Sequence, residues 1–464
     1  MPLHRLRAHR RRREAGGGPM IVIEGCAVAT VDADGTEHAD GHIVVSGDRI
    51  VAVGSGSYRG DADVTRVDGR GCLATPGLVN THHHLYQWAT RGYAQQEILF
   101  GWLKELYPVW ARIDAGIVHA AAGAGLAQLA LSGCTTSTDH HYVFPRGGGD
   151  LLAAEIQAAG EVGLRFHPCR GSMDLSEKDG GLPPDSVVED TEAALAATKD
   201  AIDRFHDPKP GAMVRIAVAP CSPFSVTPRL MREAAELARA EGVRLHTHLA
   251  ETIEEERYCQ EVHGCTPVQY AESLGWLGDD VWLAHTVHLD DSAIARLGAT
   301  GTGVAHCPSS NGRLGAGIAP VRDLLRAGAP VGLGVDGAAS QEAGQLGAEL
   351  RQALYLARLR GGPAALTARE SLALGTIGGA RCLGRADELG SLEAGKLADI
   401  ALWRLDGLGH AGIADPVAAL VLGPPAPLAL LLVGGRAVVQ DGTLSTVDEH
   451  ALAEALGRAA GELR

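Results

Sequence analysis

The chain contains no Cys-x-x-Cys pair: its nine cysteines are scattered and odd in number. That pattern disfavours a disulfide framework and fits a reducing, cytoplasmic setting. No run of about eighteen uninterrupted apolar residues occurs, so no membrane span is expected. Positive charge is in the minority, with 41 Lys and Arg against 56 Asp and Glu for a net charge of -15. This balance argues against nucleic-acid or anionic-membrane partners and suits a small, roughly neutral substrate. The Arg-rich start, Arg5 to Arg13, lacks the apolar segment that a secretory signal needs. Residues 1–19 are expected to form a disordered tail, with Met20 as a candidate natural start.

What is present is a globular composition, 45% hydrophobic and 21% charged over 464 residues, a length that a barrel with a small attached domain would use. Residues 20–72 read as short strands separated by Asp-Gly and Ser-Gly-Asp turns. The same texture returns over 388–446, with Gly434-Gly435 between strands, and 447–464 reads as a C-terminal helix. Short strands of this kind cannot bury a face alone, so both chain ends are expected to meet in one small β-sandwich. Between them, residues 73–387 alternate apolar strand-like runs with Ala/Leu-rich helical stretches. The runs are Leu73–Asn80, Ser132–Asp139, Leu164–Arg170, Val214–Pro220, Val243–His248, Val281–His285, Gly303–Pro308 and Val331–Asp336. Helices are clear at Ile117–Leu131, Pro228–Glu241 and Pro320–Ala327. Eight strand-helix units with continuous apolar strands predict a (β/α)8 TIM barrel, whose chemistry gathers at the carboxyl ends of its strands.

Polar residues collect at those ends. The first run leads into His82-x-His84, and strand alternation points both imidazoles the same way. The fifth ends in His246-Thr247-His248-Leu249-Ala250-Glu251, the sixth in His285 and the eighth in Asp336, while the seventh leads to His306 and Asn311. Imidazoles with a carboxylate suit Zn²⁺ or Fe²⁺ rather than the all-oxygen shells of Ca²⁺ and Mg²⁺.

These motifs resemble the deaminase branch of the amidohydrolase superfamily. They are Pro76-Gly77-Leu78-Val79-Asn80-Thr81-His82-x-His84, His248-x-x-Glu251, His285, His306-Cys307-Pro308-x-x-Asn311, Gly334-Val335-Asp336 and the stretch Gly390–Asp399. The resemblance implies that His82, His84, His248 and Asp336 hold one divalent metal, zinc or iron. It implies that Glu251 shuttles a proton to the ring nitrogen and the leaving ammonia. Asp336 would take a proton from the attacking water, and His285 would orient that water or the developing charge. Members with two metals carry a bridging lysine, which Met213–Pro220 lacks, so one metal is expected.

The other histidines sort less sharply. His246 shares a face with His248 and is left between support of the site and packing; His83 points away; His140 and His141 are undecided; His167 reads as packed and His306 as a strand cap or site residue. Cys221 and Cys307 lack a base partner for thiol chemistry. Loops after the strands carry Gln87, Arg170 and Ser222 as candidate readers of a planar heterocycle, with Trp102 and Tyr107 either walling the site or packing a lid.

Thr81–Gln87, Arg170–Met173 and Ala219–Val226 are similar to the 8-oxoguanine deaminases, a group beside the hydroxyatrazine ethylaminohydrolases. Trp88, His141 and the Gln341-Glu342 pair depart from the pattern. The implied reaction is deamination of 8-oxoguanine to urate and ammonia, with s-triazine, guanine, cytosine or pterin substrates as alternatives. A zinc nucleoside deaminase is disfavoured because Pro220-Cys221-Ser222-Pro223-Phe224 lacks a second cysteine. A barrel that had lost its metal would show lost ligands, and none is missing. The oligomeric state is open.

Overall fold

The computed structural model describes residues 20–60 and 64–464; the tail expected over 1–19 lies outside them. Eight parallel strands close into a barrel: Leu78–Asn80, Cys134–His141, Arg165–Ser172, Ala217–Pro220, Arg244–Leu249, Val281–His285, Gly303–His306 and Val331–Leu333. Leu333 pairs with Asn80 to join the last strand to the first. Each expected run contributes one stave, because each is buried on both faces and is covered outside by helices. Thr227 shows how the chain is punctuated. Its side chain caps the helix Pro228–Glu241, and Gly242, at φ 66°, ends that helix and turns it into the fifth stave.

The first run differs from expectation. It divides at Gly77. Cys72–Pro76 pairs with Ile400–Arg404 and with Met20–Ala29 outside the barrel, while only Leu78–Asn80 enters it. The N–H of Gly77 donates to Asp399 at 2.9 Å and that of Leu78 to Gly133 at 2.8 Å, so the partner changes within one residue. A Cβ on Gly77 would come within 2.2 Å of the Thr135 methyl, which only glycine avoids. Residues 73–76, expected in the barrel, therefore belong to the outer sheet.

Both chain ends do form one additional sheet domain, of nine strands. Cys72–Pro76 is its bridge, joining N-terminal to C-terminal strands, and Ile23, Ile43, Ile50, Ile400 and Leu432 share one apolar cluster beneath it. The C-terminal helix, Glu449–Glu462, is capped by Asp448 and buries Leu456 and Ala459. No helix among the described residues is long and apolar enough to cross a membrane.

Candidate metal centre and active site

The strand ends converge through unusual backbone. Ala250 (φ 53°), His285 (φ 71°), Thr286 (φ 47°) and Asp336 (φ 64°) are non-glycine residues in the left-handed region, all at the ends of staves five, six and eight. Such conformations cost on the order of 1–3 kcal/mol each and cluster at functional sites. His83–His84 pairs with Asp336–Gly337 as a short parallel extension above the barrel. Asp336 N–H donates to His82 O at 3.1 Å, so the first and last staves hold each other's functional residues in register.

Three imidazoles are fixed in one tautomer by what their Nδ1 atoms touch. His84 Nδ1 faces His140 O at 2.7 Å, and His248 Nδ1 faces Cys221 O at 2.7 Å. A carbonyl can only accept, so both Nδ1 atoms carry the proton. His246 Nδ1 faces Trp282 O at 2.8 Å, which makes His246 Nε2 an acceptor; His82 Nδ1, 2.8 Å away, donates to it. The Nε2 lone pairs of His82, His84 and His248 are thereby turned inward.

Those lone pairs face each other and a carboxylate. His84 Nε2 lies 3.1 Å from His248 Nε2, and His82 Nε2 and His84 Nε2 each lie 3.3 Å from Asp336 Oδ1. Zinc–nitrogen bonds of about 2.0–2.1 Å place tetrahedral ligand atoms about 3.3–3.4 Å apart. The set fits. His82 Nε2 is buried with no hydrogen-bond partner, and acceptors crowded this way repel unless a cation lies between them. Burial drives the His82 and His248 side chains well below the ordinary histidine range, keeping them neutral and able to ligate. The three histidines and Asp336 thus form a site for one divalent metal.

Around it stand further buried ionisable groups. Glu251 is buried, and burial, with the charge of Asp336, raises its carboxyl well above the usual range. His285 Nε2 is 3.6 Å from Glu251 Oε2 and 3.9 Å from Asp336 Oδ2, with its Nδ1 held by Asn311 Oδ1 at 2.9 Å. Two supporting residues escaped the sequence reading. Ser310 Oγ donates to Asp336 Oδ2 at 2.6 Å. Glu255 accepts from the N–H groups of Ala250 and Glu251 at 2.8 and 2.9 Å, pinning the strained turn that presents Glu251. Thr252-x-x-Glu255 has the form of a capping box, so a helix start was readable there, but not that its carboxylate reaches past the cap. His246, left undecided, supports His82.

The cavity beside the metal donors holds about 390 Å³. Gln87 and Ser222 line it, as do Trp102, Tyr107 and Phe224. Gln87 is fully buried, and neither its carbonyl nor its amide nitrogen has a partner. Gly337 lies against it: a Cβ there would fall 1.8 Å from Gln87 Oε1. Ser222 Oγ is 2.7 Å from Ser225 Oγ.

Arg170 is not brought to this cavity. Its guanidinium makes a two-pronged pair with Glu189, both contacts at 2.7 Å, and stacks 4.0 Å from the Phe144 ring centre. A buried guanidinium demands a carboxylate, and the sequence expectation of substrate contact fails on that demand.

The remaining histidines have other work. His83 accepts from the His84 N–H, and His140 Nε2 is held by Ala219 O. His141 bonds Glu155 at 2.7 Å, and His306 stays outside the metal donor groups. Burial pushes the Cys221 thiol up to about 12, as expected of a cysteine that is not a nucleophile.

Comparison with known proteins agrees with this geometry. A family model described as the amidohydrolase family matches residues 73–438. The chain is 47% identical over 427 residues to the 8-oxoguanine deaminase of Pseudomonas aeruginosa, across 92% of this chain and 95% of that protein. It is 40% identical over 422 residues to an isoxanthopterin deaminase of an unknown prokaryotic organism, across 86% and 87%. The structure of an atrazine chlorohydrolase from Arthrobacter aurescens complexed with zinc superposes with a TM-score of 0.89 at 36% identity, covering 95% of this chain and 100% of that one.

Proposed function

We propose that this chain, which belongs to the amidohydrolase family, deaminates an oxidised purine by hydrolysis, taking 8-oxoguanine to urate and ammonia. That it is a metal-dependent hydrolase of the deaminase branch follows from the family and the donor set. The finer reading, the substrate, is carried by Gln87. A buried carboxamide with both ends unpartnered matches a ring lactam, which offers a C=O to its N–H and an N–H to its carbonyl. An oxidised purine has such edges on both rings. Trp102 and Phe224 supply apolar walls, and Ser222 a hydroxyl.

His82, His84, His248 and Asp336 would hold the metal, and zinc is the ion in the similar atrazine chlorohydrolase structure. When bound, such an ion polarises water, lowering its pKa to about 7. Asp336 Oδ2, lying outside the donor set and hydrogen-bonded by Ser310, receives the proton that water releases as it attacks the amino-bearing ring carbon. Glu251, kept protonated by burial, donates to the ring nitrogen, takes the hydroxyl proton of the resulting adduct and passes it to the departing amine, and the proton held by Asp336 then restores the Glu251 carboxyl. His285, whose Nε2 lies 3.6 Å from Glu251 and 3.9 Å from Asp336, steadies the charge on the attacking oxygen. The C–N bond breaks, and ammonia leaves. The nine cysteines, all free, support a cytoplasmic location.

A panel of heterocycles tests the substrate. With zinc-loaded protein, ammonia release from 8-oxoguanine should exceed that from guanine, isoxanthopterin and hydroxyatrazine in kcat/KM by about ten-fold or more, the discrimination expected when a buried polar reader is left unpaired. Amine or ammonia release from one of the others, with none from 8-oxoguanine, would replace this reading by the s-triazine or pterin alternative.

A further inference from the structure

At the opposite end of the barrel, staves three, four and five begin among cations. Arg165 and His167 lie on the third stave, Arg215 just before the fourth, and Arg244 opens the fifth. Arg385 follows the helix Gly379–Cys382, and His206 closes the group from the preceding loop. His167, His206, Arg215 and Arg244 line a cleft of about 540 Å³.

The charges here do not balance. Asp399 pairs with Arg165, at 3.1 Å to Nη2. Glu388 serves Arg215 and Arg385 together, each at 2.9 Å, and also accepts from Gly211 N–H. Among the described residues Arg244 hydrogen-bonds to the backbone carbonyls of Cys382 and Asp279 and to no carboxylate; Asp279 and Asp280 act on it through space, and Asp280 is paired with Arg239. Four guanidiniums thus share two directly paired carboxylates, Asp399 and Glu388, and half-buried Asp207, beside His206, makes no pair with any of them among the described residues. Several buried nitrogens have no partner: Arg385 Nε and Nη1, Arg215 Nε and His167 Nδ1. Arg385 and His167 are 1% and 2% exposed, so bulk water has little access to them. Buried positive charge without a counter-ion is costly. Guanidinium forks match the paired oxygens of an oxyanion better than a spherical ion.

We propose that this cleft binds a small oxyanion, of the class of inorganic phosphate, at the barrel's N-terminal face. The anion supplies the missing negative charge where barrel, Arg385 segment and outer sheet meet. It is separate from the metal centre. Between the two lie His167, then Trp282 with ring centres 5.8 Å apart, then His246 stacked on Trp282 at 4.5 Å. The chain's net charge of -15 and the size of the cleft point to a small free anion rather than a polyanion.

Calorimetric titration of inorganic phosphate into the full-length, zinc-loaded protein tests the site. The expected result is one saturable site per chain, with a phosphate-dependent rise in Tm. Arg215→Gln and Arg244→Gln should each weaken binding by about ten-fold or more, the usual loss of a charge-assisted pair. Arg244→Lys should retain most of it, and deaminase kcat/KM should be unchanged in all three. Phosphate density in this cleft, in crystals of the unaltered protein, keeps the test independent of how the variants fold. The proposal is overturned by absence of saturable binding at millimolar phosphate, by equal binding in both Gln variants, or by phosphate found only at the metal centre or outside this cleft.

Discussion

Glu251 and His246 show two ways a side chain can matter without holding the metal. Glu251 is buried, with its carboxyl raised well above the usual range, and the role proposed for it is to keep and release a proton. Glu251→Gln should therefore leave metal content near that of the unaltered protein, while kcat falls by roughly 10²–10⁴, the span of general acid catalysis. Metal analysis and turnover on one sample check this, and loss of metal in the variant would contradict the role. His246 acts through His82, whose Nδ1 proton it accepts. His246→Leu removes that acceptor, frees His82 to adopt the other tautomer, and should weaken metal binding by about 10–100-fold in chelator competition. Gln87 and Arg170 were equally eligible from sequence. Both are polar residues near the carboxyl ends of staves. Only contacts separate them: Arg170 is consumed by Glu189, and Gln87 is consumed by nothing.

At the scale of elements, the eight staves were readable because an apolar run of four to eight residues flanked by helices has few other stable homes. The break at Gly77 was not readable. Leu73–Asn80 is apolar apart from Thr75 and Asn80, and hydrophobicity does not record which neighbour a strand pairs with. The short pair of His83–His84 with Asp336–Gly337 was equally hidden, although it brings the metal donors His84 and Asp336 together beside Gln87. Gly337→Ala would place a methyl on the Gln87 carboxamide and displace that flexible end rather than the backbone. KM should rise by about ten-fold, the cost of one lost hydrogen-bonding reader, with metal content unchanged. An unchanged KM would remove Gln87 from the substrate's path.

For the molecule as a whole, stability carries a signature of acids buried without charge. Burial raises Glu155 to about 8 from an ordinary 4.5, beside His141, which burial lowers to about 4. Between these two Glu155 values the folded chain keeps a proton that the unfolded chain gives up. This group's contribution is therefore full below about pH 4.5 and declines as pH rises to about 8. Glu155→Gln imitates the protonated acid and can still donate to His141 Nδ1. Urea unfolding at about pH 5 and about pH 8 should show a smaller loss of stability across the window in the variant than in the parent. An identical slope in both would mean that Glu155 is already ionised in the folded state.

The sequence alone determined the barrel, the small sheet built from both ends, and the spacing of His82, His84, His248, Glu251, His285 and Asp336 along its staves. Those features follow from periodicity and from chemistry that requires particular residue types near one another in the chain. Tertiary structure decided what lies far apart in sequence: that His246 fixes the proton on His82, that Ser310 and Glu255 hold the acids, and that Arg170 turns to Glu189. Each of these is a contest among buried polar groups for a limited number of partners, and a linear order of residues carries no record of which partner is within reach.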